Sequence, residues 1–169
     1  MHLLARGVTM PAAADRDARR EFEVEFREVS RSAFLLARTL GRDTEAASDI
    51  VQEAALRAWR YRWSRKGEFR PWFLAIVHRL SQSRLPSSLP LPASWDQAAP
   101  DPIASSMDPT LVAALRALWS RQRAALWLRY CEDLAVSDVA RIIGCSEPAA
   151  KQLLRRAREA LRKRLEMER

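Results

Sequence analysis

The stretch AVSDVARIIGCSEPAAKQLLRRAREALRKRL, residues 135–165, decides how this chain is read. Ala140 is small where two helices would cross, and Gly144 follows four residues later, where a tight turn needs a positive φ. Val139, Ile143, Cys145, Ala150 and Leu154 supply an apolar inner side. Ser146 is placed to cap a second helix, with Pro148 tolerated in its first turn. At about 100° per residue, Ala150, Leu154, Ala157, Leu161 and Leu165 share one face, while Glu147, Lys151, Gln152, Arg155, Arg158 and Arg162 project elsewhere. Such a pair of helices is a helix-turn-helix whose second member fits the major groove. There Gln and Lys read base edges and arginines clamp phosphates. A plain amphipathic helix with a solvated basic face is the alternative, but it requires neither the turn glycine nor the cap. Cys145, at an apolar position of the motif, reads as a small buried group and not as a ligand or nucleophile.

The remainder of this second half is also helical in pattern. Asp108-Pro109 and Ser120 are helix-start signals, and they precede apolar stripes at Leu111, Leu115, Leu118 and at Ala124, Trp127, Leu128. In the first half, Phe22, Phe26, Val29, Ala33, Leu36 and Leu40 recur at three- and four-residue steps. Gly41 ends that helix, Asp43 caps the next, and the second helix runs from Thr44 to Tyr61. Pro71 suits the first turn of a third helix with Trp72, Ile76 and Leu80 facing inward. No alternating strand pattern of useful length occurs, so the expected fold class is all-α.

The second helix holds Asp49-Ile50-Val51-Gln52-Glu53, in which Asp49, Gln52 and Glu53 lie at i, i+3 and i+4 and share a face. Ala47, Ile50, Val51, Ala54, Ala58 and Tyr61 gather on roughly the opposite face, the expected core side. Leu56 falls among the acidic and amide residues. An apolar residue centred in a polar patch is the pattern of a protein contact, against the plain alternative of one tolerated exposed leucine. Next comes WRYRWSRKGEFRPWF, residues 59–73, where aromatics interleave with Arg60, Arg62, Arg65, Lys66 and Arg70. Guanidinium groups hold phosphates and aromatic faces stack unpaired bases. Trp59 and Trp72 are expected in the core, and Trp63 with the loop from Arg65 to Phe69 against nucleic acid.

Charge divides the chain the same way. Residues 22–85 hold 12 basic and 8 acidic groups and residues 111–169 hold 13 and 7, whereas residues 86–110 carry three aspartates and no Lys or Arg. That middle stretch contains six of the nine prolines and five serines, so it is expected to be an extended linker between two small domains. Residues 1–21 read as a tail, expected to be partly disordered, and both Met1 and Met10 are candidate start residues.

The whole chain of 169 residues has 29 Lys plus Arg against 21 Asp plus Glu, a formal charge of +8 that suits a polyanionic partner. Its four glycines are scattered, which excludes the Gly-rich loops that cradle nucleotide phosphates. Two cysteines and two distant histidines make neither a disulfide framework nor a zinc site, so no metal, cofactor or catalytic group is expected. No apolar run approaches the ~20 residues that span a bilayer, and MHLLARGVTM is too short in apolar residues for a signal peptide; a cytoplasmic protein is expected.

Taken together, DIVQEAALRAW with EFRPWFLAIVHR, and RQRAALWLRYCEDLAVSDVARIIGCSEPAAKQLLRRAREALR, resemble the second and fourth conserved regions of a bacterial family. That family is the extracytoplasmic-function type of RNA polymerase sigma factor, within the sigma-70 family, and the resemblance covers residues 22–85 and 111–165. It implies that Asp49, Gln52 and Glu53, with Leu56, dock on the clamp helices of the polymerase largest subunit. It implies that Arg60, Arg62, Trp63, Arg65, Lys66, Phe69, Arg70 and Arg79 serve the minus-ten element, melted and held as single strand. The minus-thirty-five element would fall to Arg141, Ser146, Glu147, Ala149, Lys151, Gln152, Arg155, Arg156 and Arg158. The linker would thread the active-site cleft and RNA exit path, the second domain would meet the flap of the second-largest subunit, and an anti-sigma factor would hold the protein inactive.

The chain departs from the family's pattern at three places. Ser48 stands where a glutamate is usual, and His78-Arg79 followed by Gln82-Ser83 stand where Arg-Asn and a later Asp are usual. Pro148-Ala149-Ala150-Lys151-Gln152-Leu153 replaces Gly-Thr-Val-Lys-Ser-Arg, removing a hydroxyl and an arginine from the reading surface. Both promoter elements are therefore expected to differ from the family's common ones. The expected function is a promoter-specificity subunit that guides core polymerase to promoters and helps open them, without catalysis of its own. The rival is a stand-alone helix-turn-helix transcriptional regulator, which needs no docking face such as DIVQE with Leu56.

Overall fold

The computed structural model describes residues 12–83 and 108–167, and every regular element among them is helical. In chain order these are α1 (Ala12–Thr39), α2 (Thr44–Arg60), a 3-10 turn (Arg62–Ser64), α3 (Phe69–Gln82), α4 (Pro109–Arg116), α5 (Ser120–Leu126), a π-helical turn (Trp127–Cys131), α6 (Val136–Ile143) and α7 (Glu147–Met167). The expected linker falls almost wholly outside the described residues. The expected tail is corrected at its C-terminal end: residues 12–21 belong to α1, which starts ten residues before the Phe22 stripe.

Local chemistry sets the helix ends. Asp43 Oδ1 accepts from the Ala46 amide at 2.7 Å and Asp108 Oδ1 from the Thr110 amide at 2.7 Å, satisfying donors that the first turns of α2 and α4 leave open. Pro109 occupies the first turn of α4, where its missing N–H costs nothing. Gly144 closes α6 with φ of 75°, its amide and that of Cys145 both donating to the Ala140 carbonyl. A Cβ there would meet nothing within 4 Å, so the backbone angle alone favours glycine.

α1, α2 and α3 pack mutually, α7 packs on α4, α5 and α6, and α3 packs in addition against α6 of the second half. Buried residues from both halves form one continuous apolar cluster. Val29, Ala33, Leu36 and Leu40 of α1 are buried as their spacing requires, while Phe22 and Phe26 pack on the edge of this core. On α3 the expected inward set is too narrow. Leu80 is buried and Trp72 and Ile76 are half-buried, but Phe73, Leu74, Ala75, Val77, His78 and Ser81 are buried as well. Three consecutive buried residues sweep about 200° of helix, so α3 is covered on two sides. Tyr61 is also corrected: it follows α2 as its cap residue and stands 57% exposed instead of joining the core.

Arg123 is the main polar tie between the halves. It is buried, and its guanidinium donates to the Thr39 carbonyl at the end of α1 (2.9 Å), to the Arg116 carbonyl at the end of α4 (3.1 Å) and to the Leu118 carbonyl. Its fixed fork of donors suits carbonyls that helix ends leave unpaired, and the cation complements their negative dipoles. Burial pushes its pKa down to about 10, which leaves it charged at neutral pH. Nothing in the sequence pattern singles out Arg123, because it lies just after the expected helix start at Ser120 and beside two other polar residues, Arg121 and Gln122.

Candidate nucleic-acid interface

On α2, burial of Ala47, Ile50, Val51, Ala54 and Ala58 turns the other side of the helix outward. Asp49 and Gln52 are exposed there, Leu56 is 67% exposed, and Glu53 is half-exposed. Arg57 Nε donates to Glu53 Oε1 at 2.6 Å, the i, i+4 pairing of a solvated helix face. The acidic and amide residues therefore surround one protruding leucine, as their spacing predicts.

The basic aromatic segment is less free than its sequence suggests. The Arg62 guanidinium lies 3.8 Å from the Trp59 ring centroid and 4.5 Å from that of Trp63, and it pairs with Asp15 of α1 at 3.2 Å. Arg65 Nη1 donates to both carboxylate oxygens of Glu25, at 2.8 and 2.6 Å, and Arg70 pairs with Glu132 of the second half. Trp63 is 65% exposed although Arg62 covers one face of its ring, and Arg60 and Lys66 are exposed as well. Arg79 is exposed further along α3, its Nε donating to the Ala75 carbonyl at 3.2 Å.

Phe69 is a correction. It is 7% exposed, begins α3, and packs edge-on against Phe22 and stacked on Phe73, with centroids 5.5 and 5.4 Å apart. Its apolar surface completes an aromatic cluster with Phe26, Trp59 and Trp72, so it positions the loop from below and does not present a ring to a base. Trp59 and Trp72 are half-buried at the rim of that cluster, in line with their expected core role. The loop's carboxylate partners, Asp15 and Glu25, carry no sequence signal; they become visible only once α1 is known to run alongside the loop.

The helix-turn-helix presents a complete outer face. Ala150, Leu154 and Ala157 are buried and Leu161 and Leu165 half-buried, which leaves Glu147, Ala149, Lys151, Gln152, Arg155, Arg156 and Arg158 exposed along α7. Ser146 Oγ accepts from the Ala149 amide at 3.4 Å, a long N-cap bond, and Cys145 is half-buried behind it. Arg141, exposed on α6, pairs with Asp138 at 3.1 Å. Lys151 pairs with Glu147 at 2.8 Å and Arg155 with Glu159 at 3.4 Å, while Arg158 donates to the Tyr130 hydroxyl at 3.2 Å. These exposed pairs are weak and exchange readily for phosphate contacts. Among the described residues, no group of three or more His, Cys, Asp or Glu is arranged to hold a metal, and no helix is long and apolar enough to cross a membrane.

Two family models match the sequence: sigma-70 region 2 over residues 26–87, which contain α2 and α3, and sigma-70 region 4 over residues 110–161, which contain the helix-turn-helix. Among curated proteins, the "Probable RNA polymerase sigma factor RfaY" of Xanthomonas campestris is 32% identical over 146 residues, covering 77% of this chain and 36% of that protein. The "ECF RNA polymerase sigma factor SigG" of Mycobacterium tuberculosis is 32% identical over 150 residues, covering 68% of this chain and 40% of its own. SigJ of the same organism is 31% identical over 160 residues, covering 83% of this chain and 49% of its own. The chain thus spans between about a third and a half of the length of these relatives. A solved structure of the sigma factor RpoE, in complex with the anti-sigma factor NepR from Bartonella quintana, shares the fold with a TM-score of 0.62 at 21% identity, over 91% of this chain and 99% of RpoE. With region 2 followed by region 4, and these relatives, the chain belongs to the extracytoplasmic-function group of sigma-70 family RNA polymerase sigma factors.

Proposed function

We propose that this protein is a promoter-specificity subunit of bacterial RNA polymerase that acts in the cytoplasm, directing core enzyme to paired upstream elements and helping to open the duplex. The observation that carries this reading is the exposed face of Asp49, Gln52, Glu53 and Leu56 on a chain that also displays the basic outer face of α7. The first face suits the clamp helices of the largest subunit. The second domain meets the flap of the second-largest subunit and the minus-thirty-five duplex. Trp63, Arg60, Lys66 and Arg79 are the exposed groups suited to the minus-ten strand, with Arg62, Arg65 and Arg70 joining once their carboxylates are exchanged for phosphates. An anti-sigma factor is the natural regulator of such a chain. The protein contributes recognition and strand capture, and polymerisation chemistry stays with the core enzyme.

A stand-alone regulator would bind duplex DNA through α7 alone and have no use for the α2 face. Run-off transcription from genomic fragments with core enzyme separates the two readings. Specific starts are expected only when this protein is added. Tight duplex binding by the free protein, with no effect on initiation, would reverse the assignment.

A further inference from the structure

Two arginines of the loop between α2 and α3 are occupied by carboxylates of α1. Arg62 is wedged between the Trp59 and Trp63 rings; its Nη1 donates to the Trp59 carbonyl at 2.8 Å and its Nη2 to Asp15 at 3.2 Å. Arg65 donates through Nη1 to both carboxylate oxygens of Glu25, at 2.8 and 2.6 Å, with only 30% and 28% of the two side chains exposed. Asp15 and Glu25 stand ten residues apart on one helix, about 15 Å at ~1.5 Å per residue. α1 therefore lays two fixed negative charges along the loop, as the backbone of a nucleic-acid strand would.

Glu25 and Arg65 line a cleft of about 300 Å³ together with buried Val29 and Phe69. Glu28 and Glu68, both exposed, line it as well, which sets three carboxylates against two guanidinium groups, those of Arg65 and Arg70. The chain as a whole carries +8, yet the residues lining this cleft are net negative. A phosphate has room here, but it must displace Glu25 and approach two further carboxylates to reach Arg65. Salt screens a half-buried pair less than the exposed pairs on α7, so this pair yields less readily than they do.

We infer that Glu25, and Asp15 to a lesser extent, are built-in competitors of the strand phosphates, which set the affinity and the salt dependence with which an unpaired strand is taken up. Arg62 keeps its place between the rings and exchanges only the partner of its Nη2, while Arg65 exchanges both bonds of its Nη1. Each exchange replaces one anion by another, so the arginine releases no counterion of its own when the strand binds. Neutralising the carboxylate restores that release. A loop set in this way passes over stray single strands and accepts one that other contacts also hold. The competition follows from contacts within this chain; its use in promoter opening rests on the function proposed above.

The test is a fluorescence-anisotropy titration of the full chain with a short, mixed-sequence single strand of DNA across a salt series, with helicity by circular dichroism as the check on folding. Glu25→Gln removes the charge and keeps the shape. It is expected to steepen the fall of log affinity with log salt by about 0.7, which over the decade below ~1 M amounts to about fivefold tighter binding at ~0.1 M. Asp15→Asn, at the longer and more exposed pair, is expected to give a smaller change of the same sign. Glu23, two residues from Glu25 and turned about 160° from it around α1, pairs with Arg19, and Glu23→Gln is expected to keep the parental slope. In an Arg65→Ala background, Glu25→Gln is expected to have no effect, because the cation it frees is gone. A Glu25→Gln chain that matches the parent, binds more weakly, or keeps its gain without Arg65 overturns the competition. A steeper slope in Glu25→Gln, with no run-off starts from the parent, overturns the polymerase function and leaves the competition standing.

Discussion

α3 and α7 both carry residues assigned to promoter DNA, yet the fold treats them oppositely. α7 lays one apolar stripe on its own domain and leaves every other side to solvent, so the residues proposed to read DNA stand on the surface. α3 is wrapped by α1, α2 and α6, and only Arg70 and Arg79 of its basic residues reach solvent. The difference follows from composition. α7 is built from charged residues around a narrow apolar strip, whereas FRPWFLAIVHRL is apolar nearly all round and must bury both sides. A duplex-reading helix can be made in advance, because its ligand is always present in its final form. A helix that serves an unpaired strand has no ligand until the duplex opens, and its apolar surface needs cover in the meantime.

The contrast is broken most severely from inside α3. Phe73 is fully buried, so Phe73→Ala is expected to cost about 3–5 kcal/mol in chemical denaturation, whereas Leu161→Ala, at the half-buried edge of α7, costs well under half of that. Equal costs would mean that α3 is no more embedded than α7.

A second probe is acid. Burial, and after it the Arg121 and Arg79 cations, push His78 down to about 4 from an ordinary 6.5, and its Nε2 has no hydrogen-bond partner. The unfolded chain takes up this proton near pH 6.5 and the folded chain resists it until near pH 4. Stability is therefore lost as pH falls across that window, by at most about 3 kcal/mol. In His78→Asn this part of the pH dependence is expected to vanish, which denaturation curves at pH 7, 5.5 and 4 would reveal. An unchanged profile would place the acid sensitivity elsewhere.

The face of α2 around Leu56 sharpens the comparison differently, since it is exposed and its Arg57 is paired with Glu53. Leu56→Asp and Glu53→Lys are expected to weaken core-polymerase binding by ~2 kcal/mol, about thirtyfold, with parental thermal stability. Undiminished co-elution of both variants with core enzyme would show that this face is not the docking surface.

The smallest effects are expected on α7 itself. Gln152→Ala should change which upstream sequences are preferred, because an amide pairs with a particular base edge at ~1–3 kcal/mol per wrong base. Arg156→Ala should weaken binding almost uniformly, because a phosphate contact carries no sequence information. Promoter-library selection distinguishes the two, and an identical profile for Gln152→Ala and the parent would remove its reading role.

Most of what depends on a single capped or periodic helix was legible in the chain. The caps at Asp43 and Asp108, the turn at Gly144 and the outward face of α7 each follow from residues within a few positions of one another. The α2 face around Leu56 was legible for the same reason. What escaped involves partners distant in sequence. Phe69 reads as a loop aromatic until Phe22 and Phe73 close over it, and Arg65 reads as a phosphate ligand until α1 brings Glu25 beside it. The start of α1 was missed because DRDARRE carries charge without an apolar period, and a helix can form there simply by continuing one that is anchored further on.

By itself, the sequence determined that this is an all-α protein with two basic halves, a helix-turn-helix and an acidic-amide face, because helical periodicity and capping are short-range properties. Only the tertiary structure decided that α3 is shared between the halves, that Arg123 binds the carbonyls of two helix ends, and that Glu132 sits on Arg70. The bonds of Arg123 to Thr39 and of Arg70 to Glu132 join residues 84 and 62 positions apart. Apolar and charged side chains find such partners through burial, which selects neighbours by space and leaves no regular spacing in the chain to read.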